Sequence, residues 1–198
     1  MKQSLILTLI TISLLLGGGC SQKVRYDDAA EVETTNADFG STDLQQMAEK
    51  MVDSLLTFAP MVEITRDHRP IIFIDTVKNK SSEHIDTEAL TDTISTRLLR
   101  SGQYRFVDMT KVATVRQQLQ YQHQGGMVNE ATAVKLGRQV GAEFMMYGNL
   151  SSIVKKADGD KDVYYKLTLK LMNLESGLVE WLDEKEIRKK SSRALFGL

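Results

Sequence analysis

DVYYKLTLKLMNLESGLVEWLDEKEI, residues 162 to 187, alternates apolar and polar side chains over most of its length. Val163, Tyr165, Leu167, Leu169 and Leu171 fall on one parity; Tyr164, Lys166, Thr168 and Lys170 fall on the other. Successive side chains of a strand point to opposite faces, so this pattern is a half-buried strand with one face on a core and one toward solvent. Asn173 to Gly177 turns the chain, and Leu178 to Ile187 returns as a second strand, which makes an antiparallel hairpin. After Arg188 the Lys-Lys-Ser-Ser run reads as a frayed tail.

Upstream of the hairpin the period changes. Phe144 to Leu150 is a continuous apolar run, as is Ile71 to Ile74 behind Pro70, and both read as central strands buried on two faces. Between them lie helical stripes. Asp86 or Thr87 caps a helix with Leu90, Ile94 and Leu98 on one side and Gly102 as its stop. Gln103 to Val107 is a short strand, and Asp108 caps a helix carrying Val112, Val115 and Leu119. A glutamine-rich loop, Gln120 to Gly126, precedes a helix capped by Asn129, with Ala133, Leu136 or Gly137, and Val140 as its stripe and Gly141 as its end. Nearer the start, Ser41 or Thr42 caps a helix with Leu44, Met47, Met51 and Leu55 in line, ended by Pro60. Trp181 and the methionines sit at core spacing. The pattern predicts an α+β domain, a mixed sheet flanked by about four helices and closed by a C-terminal hairpin.

The N-terminus has a different grammar. Leu5 to Leu16 is apolar except for Thr8, Thr11 and Ser13, follows a single lysine, and ends at Gly17-Gly18-Gly19-Cys20. This is a secretory signal peptide, too short for the roughly 20 apolar residues of a spanning helix. The cysteine after three small residues resembles the lipobox of bacterial lipoproteins, although Gly17 stands where leucine is usual. That resemblance implies lipidation of Cys20, and Ser21 rather than aspartate after it implies the outer membrane, facing the periplasm. Residues 21 to 40 hold two cations and five carboxylates, and read as a disordered tether. The expected division is therefore a signal peptide over 1–19, lipidated cysteine and tether over 20–40, and one globular domain over 41–198.

Composition narrows function by exclusion. A formal charge of -1 is too near neutral for a nucleic-acid partner. Asp158, Asp160 and Asp162 alternate as in a calcium loop, but Val163 stands where the turn needs glycine and Leu169 where a glutamate belongs. They read as a solvated hairpin loop. Ser81, Ser82, Glu83 and His84 are neighbours in one polar loop without a nucleophile-elbow motif. His68, His84 and His123 are dispersed, so no metal, cofactor or catalytic residue is assigned. Tyr164, an aromatic on the polar parity beside Lys166 and Lys170, is the candidate partner-binding residue, since surface aromatics are favoured interface anchors.

Arg69 to Thr110, Gly137 to Lys156 and Asp162 to Lys189 together resemble the LpoB family, outer-membrane lipoproteins that activate a class A penicillin-binding protein. The resemblance implies a globular part similar to the N-terminal domain of TolB. It also implies docking on a small noncatalytic domain of the bifunctional synthase, stimulation of its glycosyltransferase and transpeptidase activities, and no enzymatic activity of its own. Family members can carry a longer, proline-rich linker, whereas the tether here has no proline. A subunit of an outer-membrane assembly or secretion complex is the alternative reading.

Overall fold

Asp86 accepts hydrogen bonds from the backbone N–H groups of Glu88 and Ala89, and so starts the helix Thr87–Arg100. Gly102, at φ 76°, adopts the left-handed conformation that ends it. The structure in which this is seen is a computed structural model describing residues 25–26, 28–108, 110–123 and 141–192. In chain order the described elements are α1 (Ser41–Thr57), α2 (Ala59–Asp67), β1 (Ile71–Lys80), α3 (Thr87–Arg100), β2 (Arg105–Phe106), α4 (Val112–His123), β3 (Phe144–Ala157), β4 (Asp160–Asn173) and β5 (Val179–Ser191). The helix expected after Asn129 lies outside the described residues.

The strands form one sheet in the order β2-β1-β3-β4-β5. β1 is parallel to β2 and to β3, while β3, β4 and β5 are successively antiparallel. The fold is therefore α+β on a mixed sheet, as the sequence pattern predicts. On β4, Val163, Tyr165, Leu167, Leu169 and Leu171 are all fully buried. Met47, Met51 and Leu55 of α1 and Leu90, Ile94 and Leu98 of α3 share their core. Burial of such side chains is worth about 1.5–3 kcal/mol each and accounts for the packing of these helices on the sheet.

Several expectations need correction. Pro60 does not simply end the first helix; Phe58 is extended and Pro60 sits in the first turn of α2, the one place where its missing N–H costs nothing. The first helix is not capped by Ser41 or Thr42. Gly40 is its N-cap, and the Asp43 carboxylate accepts the Gly40 N–H at 2.9 Å. The run after Arg188 is not frayed, because β5 continues through Ser191 in register with Lys161. The apolar run of β3 is fully buried on one face only, with Phe144, Met146 and Leu150 buried and Met145 and Tyr147 half-buried; in β1 Ile71 and Ile72 are buried on opposite faces, and Phe73 and Ile74 are half-buried. α4 runs on through His123, inside what reads as loop.

The stretch before α1 also departs from expectation. Residues 33–40, read as the end of the tether, are bound to the domain: Ala37 is buried, and Phe39 packs edge-on to Tyr165 with ring centroids 5.5 Å apart.

Candidate outer-face docking site

Asp158 and Gly159 both have positive φ, 50° and 89°, as a two-residue type I′ hairpin turn requires. That turn sets the pairing of β3 with β4, placing Ala157 opposite Asp160 and Ile153 opposite Tyr164. On the other side Tyr164 pairs with Arg188 of β5. The parity argument holds: Tyr164, Lys166, Thr168 and Lys170 are half-buried and alternate with the buried residues.

Ile153, Tyr164 and Arg188 thus form one rung across the outer face, and Ile153 is 60% exposed. Together with Lys155 and Asp162 they line a shallow hollow of about 350 Å³. Around it the charges are paired along one diagonal. Arg188 donates to both Asp162 oxygens, at 2.9 and 2.6 Å, and this guanidinium holds the Asp162 carboxyl below the usual carboxylate range. Lys166 meets Glu184 at 2.6 Å, which raises the lysine. The Glu186 carboxylate at the Tyr164 hydroxyl pushes that phenol up. Exposed pairs of this kind add little stability, but they hold long side chains in place around an apolar centre.

The structure therefore brings Tyr164 and Lys166 into one patch and sets Lys170 farther along the face, between Tyr147 and Leu182. Cys20 lies outside the described residues. The alternating aspartates do not share a loop: Asp158 is in the turn, Asp160 begins β4, and Asp162 is committed to Arg188. Sequence reasoning missed Ile153, Lys155 and Arg188. Asp158-Gly159 was the available signal, since counting outward from an Asp-Gly turn fixes which residues face Tyr164.

A larger cleft, about 810 Å³, lies against β1, the chain following β2, and α3. It includes Asp75, Asp86, Glu88, Asp92 and Asp108, but Asp86 is spent on the α3 cap and Asp108 on the Thr110 turn. Among the described residues no group of three or more His, Cys, Asp or Glu could hold a metal.

These features define a small α+β domain, with an open antiparallel sheet face carrying an apolar hollow inside a frame of paired charges. The chain belongs to the LpoB family: the family model described as peptidoglycan-synthase activator LpoB matches residues 43–187. Among its relatives is the penicillin-binding protein activator LpoB of Dickeya dadantii, 25% identical over 119 residues, 60% of this chain and 57% of that one. The protein of the same name from Erwinia amylovora is 26% identical over 111 residues, 56% and 52% of the two chains. The chain spans about half the length of the curated relatives it matches. Among solved structures, the LpoB C-terminal domain from Escherichia coli is similar at TM-score 0.45 and 19% identity, covering 73% of this chain and 98% of that one. The corresponding domain from Salmonella enterica has a TM-score of 0.44 at 17% identity, covering 74% and 99%.

Proposed function

We propose that this protein is an outer-membrane lipoprotein, anchored through Cys20 and facing the periplasm, that stimulates a bifunctional class A penicillin-binding protein and so promotes peptidoglycan synthesis. The observation that carries the reading is the family match over residues 43–187, whose described members are synthase activators. The protein acts without chemistry of its own, by binding an active conformation of the synthase better than an inactive one.

The contact we assign to it is the outer face around Tyr164, with Lys166 and Lys170 on the same face. An aromatic ring beside the exposed Ile153, framed by Lys155 and Arg188, fits a noncatalytic docking domain that presents an apolar side chain next to a carboxylate. Purified mature protein is expected to accelerate glycan polymerisation by its synthase in solution, and Tyr164→Ala to weaken binding about thirtyfold, equivalent to about 2 kcal/mol, with an unchanged thermal midpoint. No acceleration at saturating concentration would overturn the activator reading. Unchanged affinity of the variant would move the contact elsewhere.

A further inference from the structure

The loop Ser81-Ser82-Glu83-His84 holds no catalytic arrangement, but Glu83 is at the centre of another one. Its Oε2 accepts the Phe39 backbone N–H at 2.9 Å, and its Oε1 accepts the Tyr165 hydroxyl at 2.6 Å and lies 3.5 Å from Lys161 Nζ. The loop is built to hold it. Asn79 donates to the carbonyls of Glu83 and Ile85, Ser81 Oγ donates to the Glu83 carbonyl, and Ser82 N–H reaches Ser152 Oγ on β3.

What Glu83 grips is the chain from Glu33 to Gly40. The Tyr165 hydroxyl also lies 3.3 Å from the Ala37 carbonyl, an alternative acceptor for its one proton, while Lys161 pairs with the Asp38 carboxylate, and Lys189 donates to the Asp38 carbonyl at 2.6 Å and to Asp43 at 2.9 Å. Glu33 completes the strap by accepting the Ser41 N–H at the start of α1. Lys161, Tyr165 and Lys189 are on the inner face of β4 and β5. The residues alternating with them, Asp162, Tyr164, Arg188 and Lys190, form the outer-face patch. One pair of strand ends therefore carries the strap on one side and the hollow on the other.

We infer that residues 33–40 are a clamp, and that Glu83, through Phe39 and Tyr165, is a positioning residue for the outer-face docking site. The clamp fixes the ends of β4 and β5 against loop 81–86 and α1, and with them the rung Ile153-Tyr164-Arg188. Among the described strands β5 pairs only with β4, so the grip of Asp38 and Asp43 on Lys189 holds its far end from the helix side.

This inference rests on the outer face being the docking site, and its test separates the two. Glu83→Ala in the full chain is compared with wild type and with Glu83→Gln, whose side-chain oxygen can still accept the Phe39 N–H while its NH2 group donates to the Tyr165 oxygen, leaving the hydroxyl proton for the Ala37 carbonyl. Amide hydrogen exchange and affinity for the synthase are both measured. For Glu83→Ala the expected result is at least tenfold faster exchange at Phe39, and faster exchange at residues 162–165 and 188–190. Exchange in α3 should stay unchanged, and affinity should weaken at least fivefold. Glu83→Gln should recover most of both. Unchanged exchange at Phe39 would overturn the role of Glu83. A freed strap with unaltered exchange at 162–165 and 188–190 would overturn the coupling, leaving only passive packing. Should wild type bind no synthase, the docking reading fails, and the exchange pattern still decides whether the clamp holds the strand ends. Phe39→Ala gives the same readouts if Glu83→Ala does not fold.

Discussion

At the scale of single residues, the sheet has almost no slack where β3 crosses β4. Gly148 lies opposite Leu169, and a Cβ built there would stand 2.1 Å from the Thr168 carbonyl oxygen and 2.8 Å from a Leu169 methyl. The first contact is with backbone, which cannot rotate aside as a side chain can. β1 and β3 lose their even register between Ile74 and Val77, at this same level, so the neighbouring strand is already irregular. Gly148→Ala should therefore destabilise the protein by about 2 kcal/mol or more, since the strands must separate to admit one methyl group. A denaturant midpoint equal to wild type, with an equal slope, would show that the ladder opens at no cost. Tyr104 poses the opposite case. Its hydroxyl is buried without a partner among the described residues, and burial pushes the phenol up to about 12. The ring fills volume and the oxygen contributes no bond.

At the scale of elements, charged side chains connect the first helix to the edge of the sheet. α1 runs antiparallel along β5, with Asp43 on Lys189, Lys50 on Asp183 and Ser54 Oγ accepting from Trp181 at successive levels. The strap extends this row beyond the helix. Removing residues 1–40 deletes the buried Ala37, the Phe39 ring and the Glu33 acceptor at the α1 N-terminus. It also strips Lys161 and Lys189 of their contacts with Asp38. A protein starting at Ser41 should be less stable than one starting at Val32 by about 2–4 kcal/mol, from apolar burial and lost capping together. Calorimetric unfolding of the two proteins checks this; coincident midpoints would mean the strap adds nothing. The strands and α3 were legible because period and caps are local signals, visible in Leu90, Ile94, Leu98 and Gly102 alone. The strap was not. Its residues are polar and acidic, and what orders them lies 44 residues away at Glu83 and 123 residues away at Lys161. The outer patch was half legible for the same reason: parity finds Tyr164, but Ile153 and Arg188 join it only through pairing between strands.

At the scale of the whole molecule, the strap shortens what connects Cys20 to the domain. If residues 21–40 were all tether, the contour would reach about 70 Å; with the chain bound from Glu33 on, about twelve residues remain, and twelve residues span no more than about 40 Å in any conformation. On the proposed reading the outer face then works close to the membrane that holds Cys20, and a synthase must bring its docking domain within that distance. The anchor and the domain are separable in this scheme, because the described core runs from Ala37 to Trp181 and so begins well after Cys20 in the chain. Cys20→Ser should therefore give a protein that melts like wild type and stimulates purified synthase normally. In cells it should leave the outer-membrane fraction and lose its effect on peptidoglycan synthesis, because diffusion through the periplasm replaces a high local concentration at the membrane. Persistence of Cys20→Ser in the outer-membrane fraction after a salt wash would overturn the lipid anchor. A lowered melting point would place residue 20 inside the folded unit instead.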